Sequence, residues 1–217
     1  MQRYPVPAAT AAAPHCSETV VRRSRFLAQC ARAASPGEAR AFVEAVRARW
    51  PDATHNCWAF AAGPPGDTAR IGSSDDGEPH GTAGRPMLQV LLHSGIGEAC
   101  VVVTRWFGGV KLGTGGLVRA YQDAVRENLA GLPLVERVPQ KVASLVLDYA
   151  CLDALRRQLP ALEAVVEGED YAERATLRLR LPAERVAALG ELLAAVSNGA
   201  ATLEVMDDEG GEGAGAP

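Results

Sequence analysis

Two glycine-rich segments constrain this chain more than anything else in it. The first is Asp75-Asp76-Gly77-Glu78-Pro79-His80-Gly81-Thr82-Ala83-Gly84-Arg85-Pro86; the second runs from Arg105-Trp106-Phe107-Gly108-Gly109 through Lys111 to Gly113-Thr114-Gly115-Gly116 and Arg119. Between them, Cys100 to Thr104 is a near-continuous apolar run, the pattern of a strand buried on both faces. Glycine loses more backbone freedom on folding than other residues, so such a concentration implies turns through positive φ or close approach of backbone to another group. Both segments lead into helical patterns, whose first N–H groups lack intrahelical partners and suit anions when cationic side chains stand nearby.

Around these segments the pattern is that of mixed α and β structure. Glu18 to Ala31 predicts one strand with a wet face, and Ser35-Pro36-Gly37-Glu38 has the form of a capping box opening a helix with Ala39, Phe42, Val43 and Val46 on its apolar side. Pro51 ends that helix. Asn56 to Ala62 then predicts a strand, Gly63 to Gly84 a long loop, Pro86 to Leu92 a short helix, and Leu117 to Leu129 a helix beginning just after Gly116. Beyond Val138 the order is strand (142–149), helix (152–159), strands (164–168 and 172–181), helix (183–196) and strand (201–206). This β-α-β-β-α-β order is the ferredoxin-like motif, with Gly168-Glu169-Asp170 expected as the hairpin turn. Residues 1–16, rich in Ala and Pro, read as a poorly ordered arm, 17–135 as the first domain, 138–206 as the second, and 207–217 as a disordered acidic tail.

Charge divides the chain in the same way. Met1 to Arg137 carries 15 Lys and Arg against 12 Asp and Glu, a net +3; Val138 to Pro217 carries 7 against 14, a net −7. The overall net charge of −4 argues against a protein that coats nucleic acid indiscriminately and leaves room for a local basic patch on the first half. No apolar run approaches bilayer-spanning length, and the amino terminus lacks a basic region followed by an apolar one, so a cytoplasmic location without membrane association is expected. Five scattered cysteines with no Cys-x-x-Cys pair argue against a disulfide framework and a cysteine zinc site.

Two constellations carry candidate chemistry. Arg85, Arg105, Trp106, Lys111, Thr114, Gly115, Gly116 and Arg119 combine cations, an aromatic ring and free N–H groups, the set that holds phosphate and stacks on bases in single-stranded RNA. The spacing of GGVKLGTGG departs from a P-loop, and no dinucleotide fingerprint is present, so no nucleotide cofactor or other cofactor is expected. Asp76, Glu78 and His80, with Asp75, form the second set, with Asp76 and Glu78 the catalytic choices should the loop line a cleft. The alternative is that these carboxylates cap turns or pair with arginines such as Arg85; no metal site is expected, because neither the EF-hand nor the His-Glu-x-x-His spacing is present. His55, two residues from Cys57, reads as a structural histidine.

The motifs Asp75-Asp76-Gly77-Glu78-Pro79, Gly81-Thr82-Ala83-Gly84, Arg105-Trp106-Phe107-Gly108-Gly109 and Lys111-Leu112-Gly113-Thr114-Gly115-Gly116-Leu117 resemble the YigZ/Impact family. Arg85 stands where that family usually has lysine, and Trp106 where tyrosine is frequent. The resemblance implies an α/β (α+β) architecture: an amino-terminal β-α-β domain of the ribosomal-protein and elongation factor G domain IV type, and a carboxy-terminal domain similar to domain V of that factor. The partner of the family's eukaryotic members is not carried over; the cationic, aromatic surface together with this fold-level likeness to translation factors makes RNA or the ribosome the expected partner. Three functional readings stand open at this point: RNA or ribosome binding with a regulatory role in translation, an enzyme acting on a phosphorylated or acidic small molecule, and a protein-binding module using the acidic half.

Overall fold

The computed structural model describes residues 2–207, so the expected acidic tail lies outside the described residues apart from its first position. The chain divides into two compact units, Tyr4–Arg137 and Val138 onward together with the residues before Tyr4.

The larger unit is organised by its central strand. β6 (Ala99–Trp106) is buried from Ala99 to Arg105, as its unbroken apolar run requires, and pairs antiparallel with β3 (Ser24–Arg32) on one side and β4 (His55–Ala61) on the other. β2 (His15–Val21) and β5 (Ile71–Ser74) extend the sheet to the order β2-β3-β6-β4-β5. β3 and β4 therefore run parallel with β6 between them, joined by α1 (Pro36–Arg49) as a β-α-β unit. Ser35 Oγ accepts the Glu38 N–H at 3.2 Å and caps α1, while Phe42, Val43 and Val46 pack with Phe60, Cys100 and Val102 on one face of the sheet. On the other face, α2 (Gly84–His93) and α3 (Thr114–Ala130) bring Met87, Leu91, Tyr121 and Val125 against Phe26, Cys57, Val101 and Val103.

Three expectations for this unit need correction. The single strand expected over Glu18 to Ala31 is a hairpin, with β2 and β3 joined through Arg22 and Arg23. The loop expected from Gly63 to Gly84 contains β5, which pairs with β4 through Ala61↔Ile71 and Trp58↔Ser74. The expected arm is built into the structure: β1 (Tyr4–Pro7) pairs antiparallel with β7 (Leu134–Arg137), from Tyr4↔Arg137 to Pro7↔Leu134. Its anchor is the buried Glu98, which accepts the Tyr4 hydroxyl at 2.8 Å and pairs with Arg32 at 2.7 Å and Arg137 at 3.4 Å. Proline-rich composition hid this strand, because proline is tolerated on so short a two-stranded ribbon.

The smaller unit has the order expected of it, β8 (Gln140–Leu147), α4 (Leu152–Gln158), β9 (Val165–Tyr171), β10 (Ala175–Pro182), α5 (Val186–Ser197) and β11 (Thr202–Asp207). Its antiparallel sheet runs β11-β8-β10-β9, the ferredoxin-like arrangement, and alternate residues Ala143, Leu145 and Leu147 of β8 and Leu177, Leu179 and Leu181 of β10 meet Leu155 and Leu189 of the helices. The turn between β9 and β10 falls at Ala172 to Arg174, not at Gly168; Gly168 lies within β9 opposite Arg178, where the register shifts. Glycine in a strand marked a bulge here and not a turn.

Candidate functional site

The Asp75 loop is held by hydrogen bonds and ion pairs within itself and to the strands and helices around it. Asp75 accepts from the backbone N–H groups of Gly81 (2.8 Å), Ala83 (3.0 Å) and Gly84 (2.8 Å), so its carboxylate caps the start of α2 from across the loop. Burial pushes its pKa up, but the three N–H donors outweigh that and leave it below the ordinary aspartate value. Asp76 pairs with Arg47 at 2.6 Å and accepts the Asn56 N–H at 2.6 Å, while its carbonyl meets His55 Nδ1 at 2.8 Å. Glu78 is buried; its Oε1 accepts from Arg105 Nη1 at 2.5 Å and from the Tyr121 hydroxyl at 2.8 Å. Cys57 Sγ donates toward the Asp75 carbonyl at 3.0 Å and lies 3.3 Å from the Tyr121 oxygen. Burial pushes the Cys57 thiol and the Tyr121 phenol well up, so both stay protonated at neutral pH.

The three catalytic candidates are therefore not brought together. Asp76 and Glu78 are committed to Arg47 and Arg105, whereas His80 is fully exposed, with only Asp75 nearby at 3.8 Å. Arg85 also points to solvent and is no partner of these carboxylates. Among the described residues no group of three or more His, Cys, Asp or Glu side chains is placed to hold a metal ion. His55 takes the structural place expected of it, between the Asp76 carbonyl and the Glu78 carboxylate, 3.9 Å from its Oε2.

The cationic set divides in two. Arg105 is only 5% exposed, held by Glu78 and by Ser24 Oγ at 3.2 Å, and is not a surface phosphate contact. A buried arginine with its carboxylate in place is a fold-holding pair, since removing either partner strands the other. Trp106 is likewise occupied: the Arg25 guanidinium lies 4.3 Å over its ring, Trp50 meets it edge-on, and its Nε1 donates to Asp52 at 2.8 Å. The exposed aromatic of the pair is Phe107, at 46%.

Lys111, Thr114, Gly115 and Arg119 do lie on the surface, with Gly116 half-buried beside them. Gly113, with φ of 75°, ends the glycine loop, and α3 begins with neither a side-chain cap nor an acidic residue in its first turn. Next to it is a feature that sequence reasoning missed. The β2-β3 hairpin tip consists of Arg22 (φ 45°) and Arg23 (φ 66°), both left-handed and both exposed. That two-residue turn normally takes Asn-Gly or a similar pair, and each non-glycine residue held there costs about 1 kcal/mol. The glycine loop packs directly on this tip: a Cβ at Gly108 would lie 2.0 Å from the carbonyl of Arg23. Arg22, Arg119 and Asp123, with Gly116 and Leu112, line a pocket of about 310 Å³. Arg22, Arg23, Lys111 and Arg119 have no ion-pair partner among the described residues, while the nearest acid on α3, Asp123, is paired with Arg126 at 2.7 Å.

The profile of the Impact N-terminal domain matches residues 22–129, and that of a domain of unknown function, DUF1949, matches residues 145–200. The chain belongs to the IMPACT family. It is 41% identical over 197 residues to the IMPACT family member YigZ of Escherichia coli strain K12, covering 91% of this chain and 97% of the relative. Its identity to the IMPACT family member YvyE of Bacillus subtilis strain 168 is 34% over 187 residues, covering 86% and 85% of the two chains. A crystal structure described as that of a hypothetical protein superposes with a TM-score of 0.67 at 40% identity, over 96% of this chain and all of the other. The two matched segments fall in separate units of the fold, and the hairpin tip and glycine loop both belong to the first.

Proposed function

We propose that this IMPACT family protein is a cytoplasmic regulator of translation that binds RNA, alone or on the ribosome, through the hairpin tip and glycine loop of its larger unit. The observation that carries the reading is that Arg22 and Arg119 line a pocket of about 310 Å³ while Arg23 at the hairpin tip and Lys111 in the glycine loop are exposed, none of the four ion-paired among the described residues, and that the same glycine loop is preceded by the exposed Phe107. Unpaired guanidinium and ammonium groups attract phosphate, and an exposed ring offers a face to an unstacked base. A local patch on an acidic protein binds modestly and in a salt-dependent way.

The test is sedimentation with ribosomes, with and without RNase, followed by titration of a labelled single-stranded RNA. Changing Arg22, Lys111 and Arg119 together to Ala should reduce the magnitude of the salt slope by about 2, leaving thermal stability within about 0.5 kcal/mol. Arg105→Ala provides the internal contrast, because it should lose about 3 kcal/mol of stability through the stranded Glu78. RNA affinity and slope untouched by the triple change, in a protein that binds RNA, would remove this surface from the reading; no binding at any salt would remove the reading itself.

A further inference from the structure

A second cleft of the first unit shares no lining residue with the pocket at the hairpin tip. It has a volume of about 650 Å³ and lies where α2 and α3 meet β1 and β7. That size falls within the range of small-molecule sites. Its two walls are matched. Gln89 and His93, four residues apart on α2, present one polar edge, and Gln122 and Arg126, four apart on α3, present the other. The base is apolar, with Ile96 buried and Leu129 partly so, and Leu134 remains 44% exposed at the cleft although it is a large aliphatic side chain.

Charge selects among possible occupants. No aspartate or glutamate lines the cleft; its only ionisable lining groups are Arg126 and His93. Arg126 gives its Nη1 to Asp123 and keeps its other donors without a partner among the described residues, and the side-chain amides of Gln89 and Gln122 are likewise unpartnered there. His93 Nδ1 is engaged with the Gln89 carbonyl at 2.7 Å, which leaves Nε2 for an occupant. An aliphatic base below a rim of one guanidinium and two amide donors matches one chemistry: an apolar body ending in an anionic oxygen group.

We infer that this cleft binds a small amphipathic carboxylate, its apolar body on Ile96, Leu129 and Leu134 and its carboxylate on Arg126 and Gln122. The experiment uses the full chain and calorimetric titration with sodium decanoate, and with decanol as the uncharged match. Decanoate should bind one molecule per chain, at least tenfold more tightly than decanol. Arg126→Gln should abolish that preference and leave decanol binding unchanged, whereas Ala130→Phe, which places a ring in the cleft from an exposed helical position, should remove both. Equal binding of the two ligands, no saturable binding, or decanoate binding that survives Ala130→Phe in a variant with an unchanged melting curve would each overturn the assignment.

Discussion

At Arg22 and Arg23 the backbone is held in a conformation that their side chains disfavour, and the two arginines are exposed with nothing to gain from burial. Left-handed backbone at two non-glycine residues is found most often where a turn is used, and here only the backbone of the tip, packed by the glycine loop, is held in place. The expected outcome of Arg22→Asn with Arg23→Gly is therefore divided: urea unfolding should show a gain of about 1 kcal/mol from relief of the left-handed strain, while RNA affinity falls. Equal or better binding by the stabilised protein would show that the tip is merely tolerated. This turn was illegible in the sequence because it lacks the residues that announce one; Val20-Val21-Arg22-Arg23-Ser24-Arg25 reads as continuous strand. Arg105 was misplaced for a related reason. Charge suggested surface, and what buries it is Glu78, 27 positions away, so only the tertiary fold pairs them.

At the scale of elements, the helix starts divide into those capped locally and those capped from afar. The capping box of α1 was readable, because Ser35 and Glu38 are three residues apart and act on their own turn. The start of α2 was not, because its cap is Asp75, nine residues before Gly84. Glycine was needed at 84 for a second reason, since a Cβ there would fall 2.6 Å from the Ser74 backbone. The same cap makes stability depend on acid. Asp75 is held below its ordinary pKa and so binds fewer protons folded than unfolded; its contribution is complete above the ordinary aspartate range and lost as pH falls through and below it. Glu98, also held low by Tyr4 and Arg32 against the upward push of burial, acts in the same direction. Asp75→Asn should cost about 1–2 kcal/mol at pH 7, and should shrink the further loss between pH 6 and pH 3 in urea titrations. A variant that loses as much stability on acidification as the parent would show that the cap is electrostatically idle.

On the scale of the whole molecule, the two units carry opposite charge, and the division at Arg137 coincides with the boundary between cores. This much was legible: alternation marked the second unit's strands, periodicity marked both sets of helices, and charge changed sign where the core changed. The short strands β1 and β5 were not, since four residues give periodicity too little room. The electrostatic division leads to an expectation for binding. A fragment of residues 1–137, net +3, should hold single-stranded RNA at least as tightly as the full chain at low salt, because removal of a half with net −7 also removes its repulsion of phosphate. Weaker binding by a folded fragment would place part of the RNA contact on the second unit. The pairing of Tyr4 with Arg137 has a different kind of consequence. Paired antiparallel positions lie about 5 Å apart, so the chain enters and leaves the first unit at one spot. Such a body behaves as a cassette: a short linker across that gap would close it into a ring that could be reopened at another surface turn, and the whole unit could be spliced into a host loop without prising the host apart.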